Sequence, residues 1–314
     1  MRMLKLKSIT GSLRNSFLQG LWRCSRTDPS VIPVIGSLSH PYFKQFVEIY
    51  SDHAYAEKST KIMLKSPLVG YQINDLTCKP NTEEMGYEHV YQVWCKDFDQ
   101  LTDSDFNDLL SVYQKGQGIQ ETDQRIVDQL LIATGFPPQS SFEEPIFLTY
   151  RNTNIQDEAV EQELENYRIG FCNMNDFHTK IKHFQPILIQ DEIRFAIQNQ
   201  MTIGAYHKQT NEIVGWMTIS SNGVQERMYT YPEHRRRGIA DAITARTINT
   251  NLRYGMPSYG YHSGQSHPTD QYGYQVFEGY KLNVCHGFLV TDDPLYPRSE
   301  TVEKQRILST VGLK

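Results

Sequence analysis

Tyr229-Thr230-Tyr231-Pro232-Glu233-His234-Arg235-Arg236-Arg237-Gly238-Ile239-Ala240 is where an apolar strand pattern breaks at a proline and a helical pattern begins. Gly238 stands just ahead of a helical run from Ile239 to Tyr254 that Gly255 closes. A helix start leaves N–H groups without partners, and a glycine there lets the backbone come close to a ligand. Those donors, the positive end of the helix dipole and the side chains of Arg235, Arg236 and Arg237 together make an anion seat that suits a phosphate. On its own the arginine triplet would read as a solvated basic turn; its place between strand and helix favours the seat.

The pattern continues outward in both directions. Upstream, Met201 to His207 and Ile213 to Ser220 are apolar runs around the turn Lys208 to Glu212, and Ser221-Asn222-Gly223 turns the chain into a strand from Val224 to Tyr231. Before them come a strand from Tyr167 to Phe171 and helices from Asn175 to Phe184 and Gln190 to Asn199. Downstream, Pro257 to Tyr261 reads as a strand, Pro268 to Phe277 as a helix, Gly279-Tyr280 as a turn and Leu282 to Val290 as a closing strand. The first half alternates as well, with strands expected at Val31 to Gly36, Ile62 to Leu64, Tyr87 to Trp94 and Pro145 to Tyr150. Helices are expected there at Pro41 to Tyr55, Thr102 to Tyr113 and Asp123 to Ala133. The whole is a mixed-sheet α/β (α+β) chain, divided into an N-terminal α/β unit at 1–151, an acidic linker at 152–166 and a C-terminal unit at 167–314.

Composition excludes several classes. With 314 residues, 39% hydrophobic and 21% charged, the chain has the make-up of an ordinary globular protein without sequence repeats. A net charge of −5 argues against a general nucleic-acid binder, which needs a basic field rather than one basic turn. No segment is long and apolar enough to span a bilayer as a helix. The five cysteines, Cys24, Cys78, Cys95, Cys172 and Cys285, are odd in number and far apart, so reduced thiols and no metal site are expected. No acidic residue precedes Asp28, while Leu6, Ile9, Leu13, Phe17 and Leu21 fall at helical spacing among basic residues. That stretch reads equally as a mitochondrial transit peptide, with a cytoplasmic location as the alternative, or as the first amphipathic helix of the N-terminal unit.

The R-x-x-G-x-A spacing of Arg235, Gly238 and Ala240 resembles the acyl-coenzyme A pyrophosphate loop of the GNAT acyltransferase superfamily. More narrowly, the chain resembles the glycine N-acyltransferase family over most of its length. The segments that carry this are Val34-Ile35-Gly36-Ser37-Leu38, Tyr91-Gln92-Val93-Trp94-Cys95-Lys96-Asp97, Ile213-Val214-Gly215-Trp216, Thr230-Tyr231-Pro232-Glu233-His234-Arg235 and Gly255-Met256-Pro257-Ser258-Tyr259. The resemblance implies a GNAT-like C-terminal domain, a possibly GNAT-like N-terminal one, and acyl transfer from acyl-coenzyme A to the amino group of glycine or a similar small amino acid. Acyl-coenzyme A is then a co-substrate, no cofactor is bound permanently, the partners are small molecules and a monomer is expected.

That chemistry asks for a pyrophosphate seat at Arg235, Arg236, Arg237, Gly238, Ile239 and Ala240, and for backbone donors to the thioester carbonyl at Met228, Tyr229 and Thr230. It also asks for a base that takes a proton from the ammonium. Here the chain departs from the family, because Val224 stands where the family has its glutamate. The nearest carboxylate is Glu226, displaced by roughly 7 Å along the strand, able to act through a water or else simply to pair with an arginine. His267, Tyr272 and Tyr274 are further proton-transfer candidates, and Lys182 and Arg194 are candidates for an acceptor carboxylate. The competing readings are a GNAT enzyme with another amine acceptor and a catalytically silent acyl-coenzyme A binder.

Overall fold

The computed structural model describes residues 6–67, 89–96, 101–113, 147–152, 157–184, 190–262 and 272–283, with 118–119, 122–123, 125–126 and 129 between them. In the first half, strand β1 (Lys7–Ser8) is followed by helices α1 (Ser12–Cys24) and α2 (Ile32–Ser39), strands β2 (Glu48–Ser51), β3 (Lys61–Pro67) and β4 (His89–Cys95), helix α3 (Asp103–Leu110) and strands β5 (Gly118–Ile119), β6 (Thr122–Asp123) and β7 (Phe147–Arg151). The second half runs β8 (Tyr167–Phe171), α4 (Met174–Thr179), α5 (Gln190–Gln198), β9 (Thr202–His207), β10 (Ile213–Ile219), β11 (Gln225–Thr230), α6 (Ile239–Tyr254), β12 (Tyr259–His262) and β13 (Tyr274–Asn283). The two halves therefore share one order through strand, two helices, three strands and a helix, after which the first half has three strands and the second two.

The sheets are interleaved rather than merely adjacent. One runs β1-β2-β3-β4-β5, a second β11-β10-β9-β8, and a third β12-β7-β13-β6. In the third, β7 from the first half lies between β12 and β13 of the second, with Tyr150 opposite Tyr259 on one side and Gln275 on the other. In return β13 pairs with β6 of the first half, Leu282 opposite Asp123. Each half thus lends its last strand to the other. The boundary expected at Arg151 falls at the end of a strand whose ladder partners all belong to the second half.

Two first-half expectations are overturned. Val31 to Gly36, read as a strand, is helical: Val31 ends a 3₁₀ turn (Pro29–Val31) and Ile32 to Gly36 lie in α2, whose eight residues are all buried. Asp28 and Pro29 start that turn of chain, the Asp28 carboxylate accepting from the Ser30 amide at 3.1 Å, and Pro33 falls in the first helical turn where a missing N–H costs nothing. A short apolar run suits a strand or a buried helix equally, and burial on every side selects the helix. Pro41 to Tyr55, read as a helix, forms a 3₁₀ turn at Lys44–Phe46 and then β2, in which Ile49 is buried and Glu48 exposed. In the second half, the expected helix and turn over 268–280 are replaced from Tyr274 by the long strand β13, whose register shifts between Phe277 and Lys281. Pro268 to Gln271, the end of the predicted strand at 284–290 and most of the helix predicted at 123–133 lie outside the described residues.

The first-half core gathers Phe17 and Leu21 of α1, Val34, Ile35 and Leu38 of α2, and Ile49, Ile62, Leu64 and Trp94 from the sheet. The second-half sheet is covered on one face by α4 and α5, through Phe177, Ile181, Ile193, Ile197 and Trp216, and on the other by α6, through Val214, Met217, Ile239 and Ile243. The halves meet at α2. A Cβ on Gly36 would stand 2.5 Å from the Tyr259 hydroxyl, and one on Gly223 3.1 Å from the Gly36 Cα, so only glycines allow these backbones to touch. The Tyr259 hydroxyl donates to the Asn222 carbonyl at 2.6 Å, tying β12 to the turn that precedes β11. Cys95 and Cys172 are buried free thiols; burial, then the Asp176 carboxylate, push the Cys172 thiol up.

Candidate active site

β11 is antiparallel to β10, but its register slips. Gly215 stands opposite Thr230 and Trp216 opposite Tyr229, whereas Thr218 stands opposite Glu226 and Ile219 opposite Gln225. Arg227 and Met228 therefore face the single residue Met217, which is a β-bulge. Arg227 takes a left-handed conformation, φ 56°, and the Met228 side chain is 43% exposed. The expected position for backbone donors was Met228 to Thr230, and the bulge lies at the start of that stretch.

After β11 the chain makes a 3₁₀ turn at Pro232–His234, with the Tyr167 hydroxyl and His234 Nδ1 3.0 Å apart. Arg235 folds back so that its Nε donates to the Thr230 carbonyl at 2.9 Å. Arg236 and Gly238 are both left-handed, φ 59° and 75°, and α6 begins at Ile239 with no side chain capping it. The first-turn amides of Ile239, Ala240 and Asp241 are thus open to a ligand, beside one carboxylate of that turn, Asp241. All three arginines are exposed, and among the described residues no carboxylate pairs with Arg236 or Arg237.

Beside this turn the sheet is split. β11 ends one sheet and β12 ends another, and no ladder bond joins them. They touch where both begin: a Cβ on Gly260 would stand 2.8 Å from the Gln225 carbonyl, and the Tyr274 hydroxyl donates to Gln225 Oε1 at 2.5 Å. Among the described residues, the corresponding strands and helix of the first half differ. There β4 and β5 are joined by a parallel ladder, Val90 to Gly118 and Tyr91 to Ile119, and the Val93 amide donates to Thr122 Oγ1 at 2.9 Å. The start of α3 is filled by its own capping box, the Asp105 carboxylate accepting from the Thr102 amide at 2.7 Å while it also binds Lys61. Only one of the two copies keeps an open seam and an open helix start.

The proton-transfer candidates separate. Val224 is 2% exposed, packed with Ile32, Leu148 and Tyr259, so the position where the resemblance expects a base is an apolar contact between the halves. Glu226 lies on β11 at the edge of the bulge and contacts the Arg227 guanidinium. Burial pushes the Tyr274 phenol up, and burial followed by the Asp241 charge does the same for Tyr272, so both hold their protons through neutral pH. The Tyr272 hydroxyl donates to the Asp241 carbonyl at 3.1 Å, at the first turn of α6. His267 lies outside the described residues. Arg194 stacks on Phe177, its guanidinium carbon 5.6 Å from the ring centre, and the Lys182 carbonyl accepts from the Gln190 amide at 3.3 Å; neither contact reaches the bulge.

Sequence reasoning missed the group behind the bulge. Arg227 Nη2 donates to Glu192 Oε2 of α5 at 3.2 Å, and the other oxygen of that carboxylate accepts from Ser221 Oγ at 3.3 Å. Burial pulls the Arg227 guanidinium down and Glu192 pushes it back up. His40, at the end of α2, feels the Glu192 charge from the first half. It also missed the aromatic cluster on the α4–α5 face, where Phe184 stands 4.7 Å from Tyr229 and 5.6 Å from Trp216 between ring centres. The alternation of Trp216, Tyr229 and Tyr231 was legible, but not which side of the sheet they share.

Residues 202–253 match the family model described as FR47-like protein. That segment is of the GNAT (GCN5-related N-acetyltransferase) superfamily. It spans β9 to the last turn of α6, and therefore the bulge, the arginine turn and the open helix start. Over a wider span, a solved Drosophila protein is similar in fold to this chain at a TM-score of 0.57 with 12% identity, over 86% of this chain and 94% of that one. A tandem GNAT protein from the clavulanic acid biosynthesis pathway is similar more loosely, at a TM-score of 0.40 and 10% identity over 86% of this chain and 95% of its own. A GCN5-related N-acetyltransferase from Sphaerobacter thermophilus gives 0.39 and 9% identity over 87% and 92%. No curated protein matches the sequence.

Proposed function

We propose that this chain, as a monomer, transfers an acyl group from acyl-coenzyme A to the amino group of glycine or a similar small amino acid. The reading rests on one arrangement: a bulged strand and an uncapped, arginine-rimmed helix start follow one another within residues 225–241, beside an unpaired seam between β11 and β12. Coenzyme A is a co-substrate, its pyrophosphate on the amides of Gly238, Ile239 and Ala240 with Arg236 and Arg237 around it. The amine attacks the thioester carbon, charge builds on the carbonyl oxygen, and backbone N–H groups at Met228 to Thr230 stabilise it. Collapse of the tetrahedral species breaks the C–S bond, and the thiolate leaves as thiol once protonated. Tyr272, protonated and bonded to the first turn of α6, is suited to give that proton; Glu226 is suited to take one from the ammonium through a water.

A second reading has its own observation. Val224 is sealed in a core and Glu226 is engaged by Arg227, which fits a protein that binds acyl-coenzyme A without turning it over. The test is release of coenzyme A thiol from acetyl- and longer acyl-coenzyme A against amino acids, polyamines and lysine peptides, beside calorimetric titration with coenzyme A. Turnover with small amino acids and one coenzyme A per chain are expected. Turnover with polyamines or lysine peptides alone moves the acceptor; tight binding without turnover establishes the silent reading; no binding overturns both. We also propose a mitochondrial location from the acid-free start of the chain. A reporter fused to residues 1–28 that stays in the cytosol refutes it.

A further inference from the structure

Arg227 is a long, charged residue in a left-handed conformation in the middle of a strand, where such geometry is uncommon outside glycine and asparagine. Its side chain is only 9% exposed; one guanidinium nitrogen contacts its neighbour Glu226, and the other is held by the carboxylate of Glu192, itself 16% exposed and 35 positions away on α5. That one carboxylate grips two places at once. Through Oε2 it holds the bulge, and through Oε1 it holds Ser221 in the turn that leads into β11. A conformation that the backbone disfavours persists when its surroundings over-determine it, and here the surroundings are a buried ion pair.

We propose that Glu192 and Arg227 are positioning residues, their ion pair locking the left-handed bulge so that the Met228 amide stays out of the β10–β11 ladder and free for the carbonyl oxygen of the acyl group. The role of the freed amide rests on the acyltransferase reading; the lock itself does not. Without the pair, Arg227 relaxes toward extended backbone, the extra residue moves along the strand, and the donor is lost although coenzyme A still finds its seat at Gly238. The pair acts on the reacting geometry and not on co-substrate binding.

Glu192→Gln tests this, because it keeps the shape and removes the charge; Glu192→Asp, one methylene shorter, serves if the first variant does not fold. Two readouts are taken on the full-length chain: steady-state thiol release, and amide hydrogen exchange across 225–231 against 202–207. The expected result is a fall in kcat of about 10- to 100-fold with the KM for acyl-coenzyme A within about threefold, and exchange at the paired residues flanking the bulge, 225–226 and 229–230, at least tenfold faster while 202–207 is unchanged. Adding Arg227→Gly to Glu192→Gln should recover kcat at least threefold over the single variant, since glycine takes the left-handed conformation unaided. Unchanged kcat with unchanged exchange overturns the proposal, as does faster exchange spread evenly over both segments. If the parent turns nothing over, the acyltransferase reading falls and the exchange arm alone decides the lock.

Discussion

Replacing Gly238 separates the anion seat from the helix it begins. At φ 75° the position is left-handed, and a Cβ there would meet Leu164 Cδ2 at 3.3 Å, a side-chain tip that can give way. Gly238→Ala therefore costs mainly backbone strain, about 1–2 kcal/mol, borne by the free and bound protein alike. Stability falls by that amount, and the Kd for coenzyme A rises no more than about tenfold. Gly238→Glu adds a carboxylate where a phosphate should sit. At ~4 Å and an effective dielectric near 20, like unit charges repel by about 4 kcal/mol, and discounting for the exposed site leaves about 2–4. Strain cancels from the binding equilibrium, so repulsion alone predicts a loss of about 2–4 kcal/mol, or roughly 30- to 10³-fold in Kd. The chain carries its own control. Gly255 closes the same helix at φ 66° with nothing within 4 Å of a Cβ, so Gly255→Ala imposes the same strain far from the seat and should leave the Kd unchanged. Calorimetry with coenzyme A and chemical denaturation measure both quantities. A Gly238→Glu protein that folds and binds coenzyme A within threefold of the parent refutes the seat.

Three further outcomes are expected. Glu226→Gln should lower acyl transfer mainly below about pH 8, the gap closing as the amine deprotonates in solution, whereas Val224→Glu places a carboxylate in the apolar contact with Ile32, Leu148 and Tyr259. It should destabilise by ~3 kcal/mol or more without restoring a base, seen as a lower Tm; a Val224→Glu protein of parental Tm and raised rate would contradict that packing. Burial lowers His40 from 6.5 to about 4, and its Nδ1 accepts from the amides of Tyr42 and Phe43 at 3.3 and 3.1 Å. The unfolded chain then binds the proton better, so the stability held above pH 6.5 drains away as pH falls toward 4, by up to about 3 kcal/mol. Denaturation midpoints at pH 7 and pH 4.5 should differ less in His40→Asn, and equal shifts in both proteins would remove His40 as the cause.

Legibility followed the range of the interactions. From Tyr167 to Gly255 the strands alternate, the turns carry Asn and Gly, and α6 has a glycine at each end, so local chemistry alone placed the elements and the arginine turn. Where an apolar run was short, as at Val31 to Gly36, the period could not choose, and contact with the other half chose a helix. Phe43, Phe46, Val47 and Tyr50 imitate a helical face, yet Tyr50 lies in β2 beside an exposed Glu48 and a buried Ile49. The bulge is hidden for another reason: an extra residue on one strand is defined only against its partner, and β10 and β11 must be aligned in space before Arg227 stands out. Glu192, one of several acidic residues at a helix start, has no local mark at all. The exchange of last strands is the least local feature of the chain and left no trace in it.

That exchange sets a schedule for the chain as it is made. β7 reaches its neighbours only when β12 and β13 exist, and β6 waits for Leu282, more than 150 positions downstream. Until the ribosome has released the segment up to Asn283, the first half carries an open sheet edge, the kind of surface that pairs with whatever strand is nearest. The fold therefore cannot close before the segment up to Asn283 has emerged, and neither half completes its sheet on its own. The rate at which the last strand arrives, relative to how fast the open edge finds a wrong neighbour, then bears on yield as well as the contacts of the finished molecule.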